Sequence, residues 1–392
     1  MTSTLLSIPR ELREQIFSYL LHPTPTTVVF PNEDSRELKI FDLRFLLTCS
    51  QIHAESLSVF RHQNTFVRIC TPFAEAEDWV SFRGGVPVVR VQGDVHKFSI
   101  HHLECRIDAP SAAELNASLA SSFIILLNDL ESFTQHWFYT NVTNPGQNGH
   151  LRLTLNIKNP YAAAYDNDAI SKRLQRLLLE PFGHVKGLMQ FSIVGNHLSS
   201  IEEKVRAEQA VPHKTARECL EETTRLKDEG NVAFKEKRWD EALRLYINAF
   251  AAMFIVCKGR QRSVWGDAWF QTYISGGQYD GKFALQERIV LRLNLVANVV
   301  ATYLKMEEYE EARFWGMRTI DLLRGSTGQD DAVLLDFPGS ESAGKIFFRT
   351  GMACIALGDK TEARRLLRIA AAYRPTDKIV QNALASVALP LG

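Results

Sequence analysis

No two of the six cysteines stand at CxxC spacing; Cys49, Cys70, Cys105, Cys219, Cys257 and Cys354 are scattered along 392 residues. That excludes a zinc knuckle or a thioredoxin-type pair, and reduced thiols buried as small hydrophobes suit a cytoplasmic chain, or one also nuclear. Also missing is an excess of either charge. Lys+Arg and Asp+Glu each number 45, so no whole-molecule field draws the chain to nucleic acid or membrane, and recognition by charge must be local. Long apolar runs are absent too: AFAAMFIV (249–256) is far too short to span a bilayer. The opening MTSTLLSIPRELREQ has no basic stretch ahead of an apolar core, so a secretory signal is not expected and the sequons at Asn116 and Asn141 are incidental. Nor is there a GxSxG elbow, a Walker loop, an HExxH pair or a dinucleotide fingerprint. The expectation is a non-enzyme without metal or cofactor.

What is present, 45% hydrophobic and 23% charged residues, is the make-up of a soluble globular chain, long enough for two or three domains. The expected fold class is α+β and multidomain. Helices open it over 1–66: SIPRELREQIFSYLLHP, with Ser7 as cap, Pro9 in the first turn and an apolar stripe of Leu12, Ile16, Tyr19 and Leu20, then a second helix burying Leu46, Leu47, Ile52 and Leu57. A small α/β layer follows over 67–197, with strands at 86–95, 97–108, 151–158 and 188–195 and helices at 121–138 and 167–182. A charged linker spans 198–222, and from 223 to 392 everything reads as helix. His96, His101, His102 and Cys105 crowd one stretch, but strand neighbours point to opposite faces, so ordinary strand residues are the better reading than a metal site.

The helical part repeats itself. KEKRWDEALRLYINAF, KMEEYEEARFWGMRTI and ALGDKTEARRLLRIAAAYRP place Ala242, Ala312 and Ala363 alike. Their separations fit a period of about 34 residues once insertions near 255–285 and 324–341 are allowed. The region resembles a tetratricopeptide-repeat (TPR) domain: Gly230, Phe234, Trp239, Ala242, Tyr246 and Ala249 fit one repeat, Tyr303, Tyr309 and Ala312 a second, and Gly351, Gly358, Ala363, Ala370 and Pro375 a third. The resemblance implies a superhelix of three helix pairs plus a short capping helix. Glycines 230 and 351 would mark close approaches of two helices; the second repeat has Val300 there, which implies a splayed pair or a different register.

Polar residues sharpen the resemblance. Lys227 and Asn231 in LKDEGN, and Lys345 and Arg349 in GKIFFRTG, are i, i+4 pairs that project from one helical face. Stacked repeats would bring those faces together, and such a groove suits a ligand with two carboxylates. With Asn298, five residues before Tyr303, the set is similar to the two-carboxylate clamp of Hsp-organising co-chaperones and large immunophilins. Asn294, a turn earlier, has the wrong spacing. The implied partner is the Glu-Glu-Val-Asp tail of ninety- or seventy-kilodalton heat-shock chaperones.

The amino-terminal segment resembles the F-box-like opening of many fungal proteins. There a leucine-proline-glutamate-leucine helix precedes a leucine-cysteine helix and an Asn-Thr-Phe stretch. The resemblance implies contact between Ile8, Pro9, Leu12, Ile16 and Leu20 and the adaptor subunit of a cullin–RING ubiquitin ligase. A helical hairpin packed on the α/β layer is the alternative.

Overall fold

The computed structural model describes residues 5–29, 35–91, 95–110, 121–162, 169–327 and 333–387. Asn116, positions 92–94 of one expected strand, 167–168 of an expected helix and 328–332 of the second insertion lie outside them. The chain divides into two compact units, Met1–His213 and Lys214–Gly392.

The first unit is built on one sheet. Its elements are α1 (Arg10–Leu20), β1 (Thr24–Val29), β2 (Ser35–Ile40), α2 (Ser50–Gln63), β3 (Phe66–Thr71), β4 (Val88–Val89), β5 (Leu103–Asp108), β6 (Ser121–Leu126), α3 (Leu127–Thr143), β7 (Arg152–Ile157), α4 (Lys172–Leu179), β8 (Gln190–Val194) and α5 (Ser199–Ala210). The strand order is β1-β2-β4-β6-β3-β5-β7-β8, with parallel and antiparallel neighbours mixed. Alternation along the strands feeds two cores, as a period of two requires. Phe123 and Ile125 face one core, with Val67, Ile69, Leu103, Leu153, Leu130, Trp137 and Val205. Ile124 and Leu126 face the other, with Phe66, Val89, Phe17, Leu21, Ile52 and Phe60.

Three expectations need correction here. Residues 1–66 are no separate helical segment, because β1 and β2 extend the sheet and α1 and α2 pack on it; Pro25 is tolerated since β1 is an edge strand. The stretch 121–138 is not helical throughout. SSFIIL is a strand filled on both faces, and periodicity cannot separate such a run from a buried helix. The stretch 198–222 is not a linker: α5 buries Ile201 and Val205 in the first unit, and the next helix starts at 216. The cap of α1 also differs, Pro9 being the N-cap residue with no side-chain cap bond.

Helix α1 rests on α2 through Phe17, Leu21 and one buried charge. Arg13 spreads over Glu55 with Nε–Oε2 2.7 Å and Nη2–Oε1 2.5 Å, which pulls the Glu55 carboxyl down to about 2. The apolar stripe expected on α1 is therefore its outer face: Leu12 is 49% exposed and Tyr19 75%. Leu47, expected inside, is 82% exposed, whereas Ile52 is buried.

The second unit stacks three helix pairs, α6 (Ala216–Lys235) with α7 (Trp239–Ala252), α8 (Ala284–Lys305) with α9 (Tyr309–Thr327), and α10 (Ser340–Ala356) with α11 (Lys360–Tyr373), followed by α12 (Lys378–Ser386). This is a TPR-like helical region. A hairpin, β9 (Ile255–Lys258) and β10 (Gln261–Val264), opens the first insertion. Helix α6 opens on a capping box: Thr215 Oγ1 accepts from the Glu218 amide and Glu218 Oε2 from the Thr215 amide. Thr215-Ala-Arg-Glu218 is the sequence signal for it. Between pair members α8 packs against both α6 and α10, so the first helices of the pairs form one layer.

Each pair turns at a residue in the left-handed region, five before its buried alanine: Lys237 (φ 63°), Glu307 (φ 63°) and Gly358 (φ 83°). A side chain there costs roughly 1–2 kcal/mol, against about 0.5–1 kcal/mol for the extra freedom of an unfolded glycine. Lys237→Gly and Glu307→Gly are expected to stabilise the chain by a few tenths to about 1 kcal/mol and Gly358→Ala to destabilise it. Urea midpoints that move the other way would contradict this account of the turns.

Candidate functional site

Gly230 sits where α6 and α7 come closest. A Cβ on it would stand 2.5 Å from Cε1 and 2.8 Å from Cδ1 of Tyr246, a ring only 1% exposed. The missing side chain lets the ring lie against α6, and the phenol then donates to Asn231 Oδ1 at 3.0 Å. The same oxygen accepts from Asn298 Nδ2 at 2.8 Å, joining α6 to α8 through two amides. Arg349 on α10 donates through Nη1 to the carbonyl of Ala297, the residue before Asn298. Three of the five sequence-expected residues are thereby tied into one polar seam across α6, α8 and α10. Asn294 is spent elsewhere, accepting from Ser342 Oγ.

The two lysines stand in the same helices, each with an acid of the chain. Lys227 Nζ is 3.2 Å from Asp228 Oδ1, which also accepts from Asn231 Nδ2 at 3.4 Å. Lys345 Nζ is 2.6 Å from Glu341 Oε1, and that bond holds the Glu341 carboxyl below its usual range. Both acids are outward, 60% and 75% exposed, so water screens these pairs and they count for little energetically. Burial lowers the Arg349 guanidinium from its ordinary value, and Arg374 lowers it further. The Tyr246 phenol is pushed up to about 12 by its burial, opposed by Arg349. Each primary amide has two N–H groups and uses one of them here. The seam therefore offers amide donors between cations.

Two participants escaped the sequence reading. Tyr246 was counted only as fitting the first repeat, although its hydroxyl orients Asn231. Arg374, at the end of α11, acts electrostatically on Arg349 and Glu341, and its stem lies against Gly344, one residue before Lys345. Its place just ahead of Pro375, a residue that fits the third repeat, was the one signal in the sequence.

Val300 is buried at the place of Gly230 and Gly351, and its pair, α8 with α9, is packed less closely than the other two. At the position of Tyr246 and Leu367 the second pair has Gly316, and a Cβ there would meet Thr350 of α10 first, so this glycine makes room for the next pair.

In the first unit His101 and His102 lie just ahead of β5 and are buried. Burial first, then Lys158, pulls each imidazole down to about 4, so both are neutral near pH 7. Among the described residues no three of His, Cys, Asp and Glu gather as a metal site. Asn141 of the sequon is buried in α3 with Nδ2 3.1 Å from His213 Nε2. No helix among the described residues is long and apolar enough to cross a membrane.

No family model matches the chain. A curated relative, the peptidyl-prolyl cis-trans isomerase FKBP42 of Arabidopsis thaliana, is 29% identical over 174 residues, which cover 44% of this chain and 38% of that protein. The match lies in the relative's TPR domain and outside its catalytic domain, so the chain spans well under half of the relative's length. Among solved structures, the C-terminal TPR-containing domain of a Plasmodium falciparum FK506-binding protein is 18% identical, with a TM-score of 0.30, and covers 44% of this chain and 91% of that one. The TPR domain of Arabidopsis OM64 is 16% identical with a TM-score of 0.27, covering 43% and 96%. The first TPR of Spaghetti (RPAP3), bound to the HSP90 peptide SRMEEVD, is 17% identical with a TM-score of 0.26, covering 43% and 90%.

The glycine, the tyrosine and the two asparagines form one unit that can be broken in steps. Gly230→Ala gains about 1 kcal/mol of helix propensity but loses roughly 1–3 kcal/mol to overpacking, so a net loss is expected. Tyr246→Phe should cost about 1 kcal/mol through the lost phenol bond. Urea unfolding of both variants measures this, and a Gly230→Ala chain more stable than the parent would refute the close approach.

Proposed function

We propose that the helical unit is an adaptor surface that grips the acidic carboxy-terminal tail of a ninety- or seventy-kilodalton heat-shock chaperone. Lys227, Asn231, Asn298, Lys345 and Arg349 are the gripping residues. The observation that carries the reading is the Asn231–Asn298 bond together with the Arg349–Ala297 bond, which hold amide and guanidinium groups from α6, α8 and α10 in one place. A terminal aspartate supplies two carboxylates on one residue. The asparagines would donate to the terminal one, and Lys345 and Arg349 would neutralise the side chain. Asp228 and Glu341 give way when the ligand arrives, being exposed and held only by weak pairs.

A labelled peptide ending in Glu-Glu-Val-Asp, titrated into the full chain, tests this. Charge-assisted bonds contribute about 1.5–3 kcal/mol each, so Lys345→Ala or Arg349→Ala should weaken binding about tenfold or more. Amidating the peptide terminus should weaken it comparably, and Glu341→Gln, which releases Lys345, should tighten it. Added salt should weaken it, since the lysines are only partly buried. Equal affinity for the amidated peptide would remove the reading.

A second reading concerns α1. Its outward stripe of Leu12 (49% exposed), Ile16 (36%), Tyr19 (75%) and Leu20 (48%) is unusual for a helix otherwise seated by Phe17 and Leu21. That stripe, with Ile8 and Pro9 at its start, suits docking to the adaptor subunit of a cullin–RING ligase, which would make the protein a substrate receptor selecting clients through its helical unit. Leu12→Glu and Ile16→Glu spare the buried face, so the chain should stay folded while co-purification with the adaptor subunit is lost. Absence of any complex with the parent chain discards this reading.

A further inference from the structure

The hairpin β9–β10 carries a second cationic feature, which shares no residue with the Lys227–Arg349 set. Arg262, opposite Cys257 in the hairpin register, lays its guanidinium carbon 3.4 Å from the centre of the Trp315 ring. Its Nε and Nη2 are buried and have no hydrogen-bond partner. Arg318 of α9 comes alongside, donating to the Arg262 carbonyl at 3.2 Å and the Arg260 carbonyl at 3.4 Å. Arg292 of α8 stands one turn on from Arg288, which donates to the carbonyls of Met253 and Trp265 at the two ends of the hairpin; burial first, then Arg318 and Arg292, bring the Arg262 guanidinium down to about 10.

The neighbouring acids are engaged elsewhere. Glu311 accepts from Arg260 at 2.6 Å, and Asp267, the carboxylate that acts on Arg292 from farther off, accepts from Arg288 at 2.5 Å. Among the described residues Arg262, Arg292 and Arg318 form no ion pair. The other polar groups facing Arg262 are the Cys257 thiol, which burial pushes up, and the Tyr303 phenol. Three guanidinium groups have thus been assembled beside an indole, one of them with desolvated, unused donors.

An unpaired buried guanidinium is unfavourable unless something supplies acceptors. A single carboxylate would cancel one charge and accept from one fork. A phosphoryl dianion cancels two and has oxygens enough for three forks, the geometry that arginine suits better than lysine. We propose that Arg262, Arg292 and Arg318 form a binding site for a phosphoryl group between the hairpin and helices α8 and α9, with Trp315 as its floor. The group could arrive as a free phosphate compound or on a phosphorylated side chain, and the chemistry recognised is the same.

The test uses the full chain. Its melting temperature is followed against inorganic phosphate, with sodium acetate and sodium chloride at matched ionic strength, and phosphate affinity is measured by calorimetry. Phosphate should stabilise the chain where acetate and chloride do not. Arg262→Gln and Arg292→Gln should each weaken phosphate binding at least tenfold. The Lys345→Ala, Arg349→Ala double variant should bind it as the parent does, which separates this site from the peptide groove. If Arg262→Gln fails to fold, Arg292→Gln and Arg318→Lys carry the test, the latter keeping charge but losing the fork. Tighter binding of N-acetyl-O-phosphoserine amide than of inorganic phosphate identifies a protein-borne phosphoryl group, and weaker binding a free compound. Phosphate acting no differently from acetate, or Arg292→Gln binding as well as the parent, overturns the proposal.

Discussion

The polar seam of the helical unit depends on a contact that is wholly non-polar. Tyr246 can lie flat on α6 because residue 230 has no side chain, and a methyl there would overlap the ring. From that position the phenol reaches Asn231, Asn231 is oriented toward Asn298, and two helices from different pairs are linked. A glycine that weakens its own helix by about 1 kcal/mol thereby sets the direction of an amide two helices away. Packing and the polar seam are coupled at this point, so damage to either is felt by the other.

Much of this was legible in the sequence, and for identifiable reasons. Helix pairs have local signals, and Ala242, Ala312 and Ala363 mark the same buried point in each pair. The i, i+4 spacing of Lys227 with Asn231 and of Lys345 with Arg349 survives in any helix, so those pairs were visible without coordinates. The choice between Asn294 and Asn298 rested on one turn of spacing, and in the structure it is Asn298 that meets Asn231. Side-chain direction across helices is not a sequence property. That is why the chain's own acids Asp228 and Glu341, the role of Tyr246 and the approach of Arg374 did not show.

The sheet of the first unit was read less well, because its pairings are non-local. Strands β1 and β2 come from a loop-like, proline-bearing stretch and take their place only by joining β4, far along the chain. The strand β6 shares no alternation that betrays it, since Phe123 and Ile125 fill one core while Ile124 and Leu126 fill the other. The stripe on α1 was correctly seen as apolar, but the sequence left open whether an adaptor subunit or the α/β layer would cover it. An amphipathic pattern says which residues share a face and nothing about what covers it.

Gly316 has a bearing on how such arrays diversify. Its place is held by Tyr246 and Leu367 in the other two pairs, and a Cβ on it would meet the buried Thr350 of the third pair first. The size allowed at this point is therefore set by the following module as well as by its own. Descent of these modules should then keep neighbouring hairpins together. Grafting the second helix of another module into the middle one would bring a tyrosine or a leucine against Thr350, a mismatch that no adjustment of the surface could relieve.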